Sequence, residues 1–133
     1  TGRGEVVKFL LEAGADVNRQ EQGGSTPLHV AIGGNLRAAE ILLESGADVN
    51  VRDYHGCTPM HAAAMNRAEN HPKAAISLLL RYGARVNVED NYGQSPLEYV
   101  EKYIPIVTEE DAQLQREVRQ LLTDAVTGKK ERP

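Results

Sequence analysis

Apolar positions in this chain fall into short runs divided by polar, glycine-bearing segments. Phe9-Leu10-Leu11, Ile41-Leu42-Leu43 and Leu78-Leu79-Leu80 each lead into a glycine, at Gly14, Gly46 and Gly83. Val6, Val7, Leu10 and Leu11 share one face of a helix at residues 5 to 13, and Ala38, Ala39, Leu42 and Leu43 do so in the next run. Two shorter patterns stand upstream of the second and third runs, Thr26-Pro27-Leu28-His29-Val30-Ala31 and Thr58-Pro59-Met60-His61-Ala62-Ala63. A threonine hydroxyl can accept from an orphan amide of a first helical turn, and proline fits the first helical position, where no amide is needed. Each long run should stop at its glycine, which takes the left-handed conformation cheaply. The pattern therefore predicts pairs of helices divided by glycine-bearing turns.

The pairs repeat. Gly14 and Gly46 are 32 residues apart, and Gly46 and Gly83 are 37 apart. A period in the low thirties marks a solenoid, whose units bury their apolar faces against one another. Gly14-Ala15-Asp16-Val17-Asn18 and Gly46-Ala47-Asp48-Val49-Asn50 are identical, and Gly83-Ala84-Arg85-Val86-Asn87 differs at one position.

These residues carry a resemblance to the ankyrin-repeat family, whose unit reads roughly D-x-x-G-x-T-P-L-H-x-A-A, then a helix ending L-L, then G-A-D-V-N. The resemblance implies an all-α solenoid of stacked antiparallel helix pairs joined by hairpin-like turns, ending in a C-terminal capping repeat. The expected domain is 1–127: a partial repeat over 1–18, repeats over 19–50 and 51–87, and a degenerate capping repeat over 88–127 beginning at Ser95-Pro96-Leu97-Glu98. Residues 128–133 are expected to be a disordered charged tail. The opening in mid-repeat suggests a piece of a longer protein with further repeats upstream, the alternative being a frayed start.

Two departures from the family pattern stand out. The unit from Thr26 is one residue short, at Ile32-Gly33-Gly34-Asn35, where the glycine pair should shorten the first helix. The unit from Thr58 is longer, and its extra residues fall in Asn66-Arg67-Ala68-Glu69-Asn70-His71-Pro72, which reads as an elongated surface loop. That loop is either a site of private specificity or a drifted loop without a partner. Farther on, a helix from Pro96 should stop near Tyr103 ahead of Pro105. Thr108-Glu109-Glu110-Asp111 should open a long helix, with a hydroxyl cap and acids at the positive end of the dipole. Leu114, Val118, Leu121, Leu122 and Ala125 form its expected buried stripe, with Gln115, Arg116, Arg119 and Gln120 on a polar face.

Charge and composition narrow the function. A net charge of −4 provides no basic footprint for nucleic acid or anionic lipid. No run approaches a membrane span, so insertion is not expected. A single cysteine, Cys57, excludes an internal disulfide framework and makes a reducing cytoplasmic or nuclear setting the default.

Candidate chemistry is thin. His29 and His61 repeat within the motif, and the resemblance makes them structural, bonding between neighbouring units. His55 and His71 lack a second ligand at useful spacing. Cys57 has no activating base nearby in sequence. Glu109, Glu110 and Asp111 are explained by the helix terminus, and the Gly23-Gly24 and Gly33-Gly34 pairs lack the Lys-Ser/Thr of a phosphate cradle. The sequence thus reads as no enzyme, without catalytic residues, metal or cofactor; Thr26, Pro27, His29, Gly46, Thr58, Pro59, His61 and Gly83 are its structural motif.

By the resemblance, partners bind along a concave groove of hairpin tips and first helices. Carried over position by position, the tips are Gln20, Gln22 and Ser25; Arg52, Tyr54, His55 and Cys57; and Glu89, Asn91, Tyr92 and Gln94. Met65, Asn66 and Arg67 line the same side. Arg52, Tyr54, Arg67 and Tyr92 are the expected anchors, since aromatic and arginine residues dominate binding hot spots; the alternative for Tyr54 and Tyr92 is packing between neighbouring turns only. The expected activity is binding of a partner protein or extended peptide by a domain that is itself monomeric. The alternatives are a regulatory or recruiting segment of a larger enzyme, channel or ubiquitin-ligase adaptor, or an inhibitor masking a transcription factor.

Overall fold

The structure is a computed structural model that describes residues 16–65, 71–103 and 106–127. The expected helix at 5–13, most of the partial repeat, residues 66–70 and the tail 128–133 lie outside the described residues. Among the described residues six α-helices follow in order: α1 (Pro27–Ile32), α2 (Leu36–Glu44), α3 (Pro59–Ala64), α4 (His71–Arg81), α5 (Pro96–Tyr103) and α6 (Glu109–Thr127). No strand occurs among the described residues.

Helices pair as α1 with α2, α3 with α4 and α5 with α6. The first helices stack in a row, α1 on α3 and α3 on α5, and α4 packs on α6. One continuous core runs through the stack, including Leu28, Ile32, Met60, Ile76, Leu79, Val100, Val118 and Leu122. This is how a solenoid hides the faces that its short helices cannot bury alone.

The helix ends form as the sequence anticipates. The Thr26 hydroxyl accepts from the His29 amide at 3.4 Å, with Pro27 in the first turn of α1. At the end of α2, the Ala47 amide reaches the Leu42 carbonyl at 3.0 Å and the Gly46 amide reaches Leu43 at 3.2 Å. Ala84 to Leu79 and Gly83 to Leu80 repeat that pair at 3.1 Å each. Gly46 at φ 98° and Gly83 at φ 86° occupy the left-handed region that this closure requires. The short loop after α1 has its own solution. Ile32 is the last helical residue, and the Asn35 side chain caps α2 by accepting from the Ala38 amide at 3.0 Å.

Two expectations need correction. His71 and Pro72 belong to the start of α4 rather than to a loop; proline is compatible with a first helical turn, whose amides have no intrahelical acceptor. Gln115 is only 9% exposed, so it is not on the polar face of α6. It precedes Val118 by three residues and Leu122 by seven, which brings it onto their buried face. Arg116, Arg119 and Gln120 are exposed as expected. Asp111 completes a capping box with Thr108: its carboxylate accepts from the Thr108 amide at 3.0 Å, and its own amide donates to the Thr108 hydroxyl at 3.1 Å. Lys73 to Glu117 at 3.1 Å and Arg119 to Glu101 at 3.4 Å tie α6 to α4 and α5. Both pairs face solvent, so water screens them and they add little to stability.

Candidate partner-binding face

Three fingers project between the helix pairs, at Gln20–Ser25, Arg52–Cys57 and Glu89–Gln94. Each is pinched by two backbone bonds: the Glu21, Asp53 and Asp90 amides donate to the Ser25, Cys57 and Gln94 carbonyls at 2.8, 2.9 and 2.8 Å, and the Gly24, Gly56 and Gly93 amides return to the Glu21, Asp53 and Asp90 carbonyls at 2.8, 2.9 and 3.0 Å. In the second finger Asp53 Oδ1 also accepts from the His55 and Cys57 amides, both at 2.9 Å. Asp90 Oδ1 does the same for the Tyr92 and Gln94 amides, both at 2.9 Å. Aspartate is suited to this because its short carboxylate reaches amides two and four residues ahead.

Four kinds of bond recur twice between neighbouring units. The Tyr54 amide donates to the Gly23 carbonyl at 2.9 Å, and the Asn91 amide to the His55 carbonyl at 2.9 Å. The Gln20 side chain donates to the Arg52 carbonyl at 3.1 Å, and Arg52 Nη2 to the Glu89 carbonyl at 3.0 Å. Asn18 Oδ1 accepts from the Asp48 amide and Asn50 Oδ1 from the Arg85 amide, both at 2.8 Å. His29 Nε2 meets the Cys57 carbonyl and His61 Nε2 the Gln94 carbonyl, both at 2.9 Å.

The histidine geometry fixes the tautomer. The Thr26 and Thr58 amides donate to Nδ1 at 3.2 and 3.1 Å, so Nδ1 is an acceptor and Nε2 carries the proton given to the next unit. Both rings are buried, and burial holds the His61 imidazole below its ordinary pKa of 6.5. Both histidines thus bond across to the next unit. At the start of α5 the same motif position is Glu98, which turns back: its Oε1 accepts from the Ser95 amide at 2.9 Å.

Glycine permits the close approach of the fingers. A Cβ on Gly24 would lie 2.7 Å from the Tyr54 amide nitrogen, and one on Gly56 would lie 2.7 Å from that of Asn91. Both residues also have positive φ, 79° and 82°.

A polar cluster lies behind the second and third fingers. The Tyr99 hydroxyl donates to Asp90 Oδ2 and stands 3.3 Å from Cys57 Sγ, while the Tyr99 ring meets His61 edge to face at 4.7 Å. Asp90 is 6% exposed. Burial pushes its carboxyl up, but the Tyr99 hydroxyl and the Gln94 and Tyr92 amides outweigh that and hold it below the usual range. Tyr99 is pushed up by burial and by its bond to Asp90. Burial also pushes the Cys57 thiol up, with Tyr99 opposing and the Asp53 and Asp90 charges reinforcing the rise. An elevated thiol pKa removes nucleophilic character. Nothing in the sequence connects these four residues, because they come together only through the stacking. Among the described residues no three His, Cys, Asp or Glu side chains gather as a metal site.

The expected contact residues separate into two groups. Gln20, Arg52 and Asn91 use their side chains as braces, Asn91 donating to the Tyr54 carbonyl at 3.0 Å. Ser25, Cys57 and Gln94 are half-buried, with carbonyls that close their fingers. Tyr54, His55, Tyr92, Gln22, Glu89 and Met65 are exposed, with Tyr54 at 67% and Tyr92 at 77%. Asn66 and Arg67 lie outside the described residues. Val30 on α1, 72% exposed between buried neighbours, was not among the expected contacts. Its register was legible, since it occupies the motif position of Ala62 and Tyr99.

Helix pairs recurring at this period, tied finger to finger, define a stacked helical-repeat protein. The family model described as ankyrin repeats (many copies) matches residues 3–63, and that described as ankyrin repeat matches 55–91. Together the matches span residues 3–91, and the chain belongs to the ankyrin-repeat family. No curated protein matches the chain. Ankyrin repeats are generally protein–protein interaction modules and typically non-enzymatic. Among the described residues no helix is long and apolar enough to cross a membrane.

Proposed function

We propose that this chain is a non-enzymatic interaction module that holds a partner protein or an extended peptide against its finger tips and first helices. The supporting observation is the combination of exposed tyrosines with a fixed backbone. Tyr54 and Tyr92 present most of their surface to solvent while their fingers are locked by aspartate, backbone and brace bonds. A large side chain on a fixed backbone loses little freedom on association, which leaves more of its burial as affinity.

The contact row comprises Tyr54, His55 and Tyr92, with Gln22, Glu89, Met65 and Val30 around it. Gln20, Arg52 and Asn91 act by setting the spacing of the tips. The exposed surface of each tyrosine, once covered by a partner, is ample for a hot-spot contribution on the order of 2 kcal/mol. Acting in a reducing cytoplasmic or nuclear compartment, as a monomeric domain, completes the reading.

The test begins with affinity capture using this protein as bait, followed by binding measurements with the purified captured partner. Tyr54→Ala with Tyr92→Ala should weaken that partner by at least about tenfold, or 1.4 kcal/mol, with an unchanged melting temperature. Unaltered affinity in a folded double variant would sink this assignment. Arg52→Ala should lower stability as well as affinity, because its guanidinium bridges two fingers.

A further inference from the structure

Each finger junction repeats one geometry, so the two complete junctions specify what the outer edge of the third finger can accept. In the first two fingers, the fourth residue offers its carbonyl to the amide of the incoming finger: Gly23 to Tyr54, then His55 to Asn91. The fifth residue is a glycine whose bare Cα face lies under that incoming residue, Gly24 under Tyr54 and Gly56 under Asn91. The first residue sends its side chain across, Gln20 to the Arg52 carbonyl and Arg52 to the Glu89 carbonyl.

The third finger keeps the backbone half of this pattern and inverts the side-chain half. Tyr92 stands in the carbonyl position and is exposed. Gly93 repeats the conformation at φ 80°, and nothing lies within 4 Å of its Cβ position. Among the described residues, no donor reaches the Tyr92 carbonyl. Glu89 occupies the register of Gln20 and Arg52, but a carboxylate only accepts hydrogen bonds, whereas those two donate.

We propose that the outer edge of the third finger is a second docking site, one that takes an extended segment of a partner protein carrying a lysine or arginine. The segment's backbone amide donates to the Tyr92 carbonyl, the same residue covers Gly93, and the segment's cation meets Glu89. An ordinary further finger would bring a carbonyl to Glu89, as Arg52 and Glu89 themselves do at the two complete junctions, and two acceptors repel. That inversion selects a cationic strand-like segment over another finger of the same design. Edge pairing of this kind obtains its affinity from main-chain bonds and its selectivity from the side chain alongside. The site shares Tyr92 and Glu89 with the tip row proposed above but engages the Tyr92 carbonyl rather than its ring.

The test is a titration of the isotope-labelled full chain, followed by amide chemical shifts, with three synthetic probes. These are a short peptide of alternating valine and threonine with a central lysine, its lysine-to-glutamate analogue, and an analogue N-methylated along one backbone edge. The lysine peptide should give saturable shifts at Tyr92, Gly93 and Gln94. The other two should bind at least about fivefold more weakly, the loss expected for one hydrogen bond or one ion contact. Glu89→Lys should reverse the preference between the lysine and glutamate peptides, and Tyr54→Ala should leave the titration unchanged, which separates this site from the tip row. Equal binding of all three peptides, shifts centred on Tyr54 and His55, or no saturable shift would overturn the proposal. Concentration-dependent shifts at residues 92 to 94 without peptide would overturn it in favour of a second copy of the chain.

Discussion

Gly56→Ala and Gly93→Ala make a paired test of how the fingers hold together. The two glycines have nearly the same backbone conformation, φ 82° and 80°, so alanine incurs the same left-handed penalty at both, about 1 to 2 kcal/mol. Only Gly56 faces a neighbour. A Cβ there would sit 2.5 Å from Asn91 Oδ1, 2.7 Å from the Asn91 amide nitrogen and 2.9 Å from Arg52 Nη2. The amide nitrogen belongs to the backbone, so relief requires moving the third finger outward. That movement strains the Asn91 to His55 bond and the Arg52 to Glu89 bond, each contributing about 0.5 to 1.5 kcal/mol. Gly56→Ala should therefore lose about 1 to 3 kcal/mol more than Gly93→Ala. Urea unfolding followed by far-ultraviolet circular dichroism measures the difference directly. Equal losses would refute the claim that the fingers are mutually clamped, and a larger loss at Gly93 would reverse the assignment of the outer edge.

Further consequences can be checked in the same way. His61 is held neutral by burial with its pKa lowered, so the unfolded chain takes up a proton more readily than the folded one. Its contribution is present in full above pH 6.5 and lost as pH falls from there toward the folded value. Urea midpoints measured across that range should decline, and His61→Gln should flatten the decline; an unchanged slope would count against the burial of a neutral ring. Asp90→Asn should destabilise by about 1 to 3 kcal/mol, because one carboxylate serves the Tyr99 hydroxyl and two amides and a carboxamide cannot accept from all three; calorimetry showing no loss would contradict this. Cys57 should react slowly with a thiol-disulfide reagent in the folded protein and rapidly in urea, since burial pushes its thiol up. Fast modification under native conditions would disprove that environment.

The helix pairs and their ends were legible because their signals are local. Thr26-Pro27, Ser95-Pro96, Gly46 and Gly83 each act within one turn of chain, where capping and left-handed closure depend on few residues. The bonds of the motif histidines to the next unit were expected only through the family resemblance, not from any local signal. Legibility failed where the stack brings distant residues together. Arg52 resembles a binding anchor in sequence, yet its guanidinium is directed to the Glu89 carbonyl 37 residues later. The cluster of Cys57, Asp90, Tyr99 and His61 has no sequence signature for the same reason. Gln115 misled because its type is polar while its spacing from Val118 and Leu122 places it on the buried face. Exposure of Tyr54 and Tyr92 could be guessed from their turn positions, but the locking of their backbones depends on Asp53 and Asp90 acting through geometry.

The central claim is that a partner rests on the finger tips, and hydroxyl-radical footprinting of the tyrosines tests it most directly. Tyr54 and Tyr92 on the fingers should be oxidised quickly in the free protein and protected once partner is bound. Tyr82, 38% exposed just past the end of α4, should react at the same rate in both states. Protection of Tyr82 with continued oxidation of Tyr54 and Tyr92 would contradict the account.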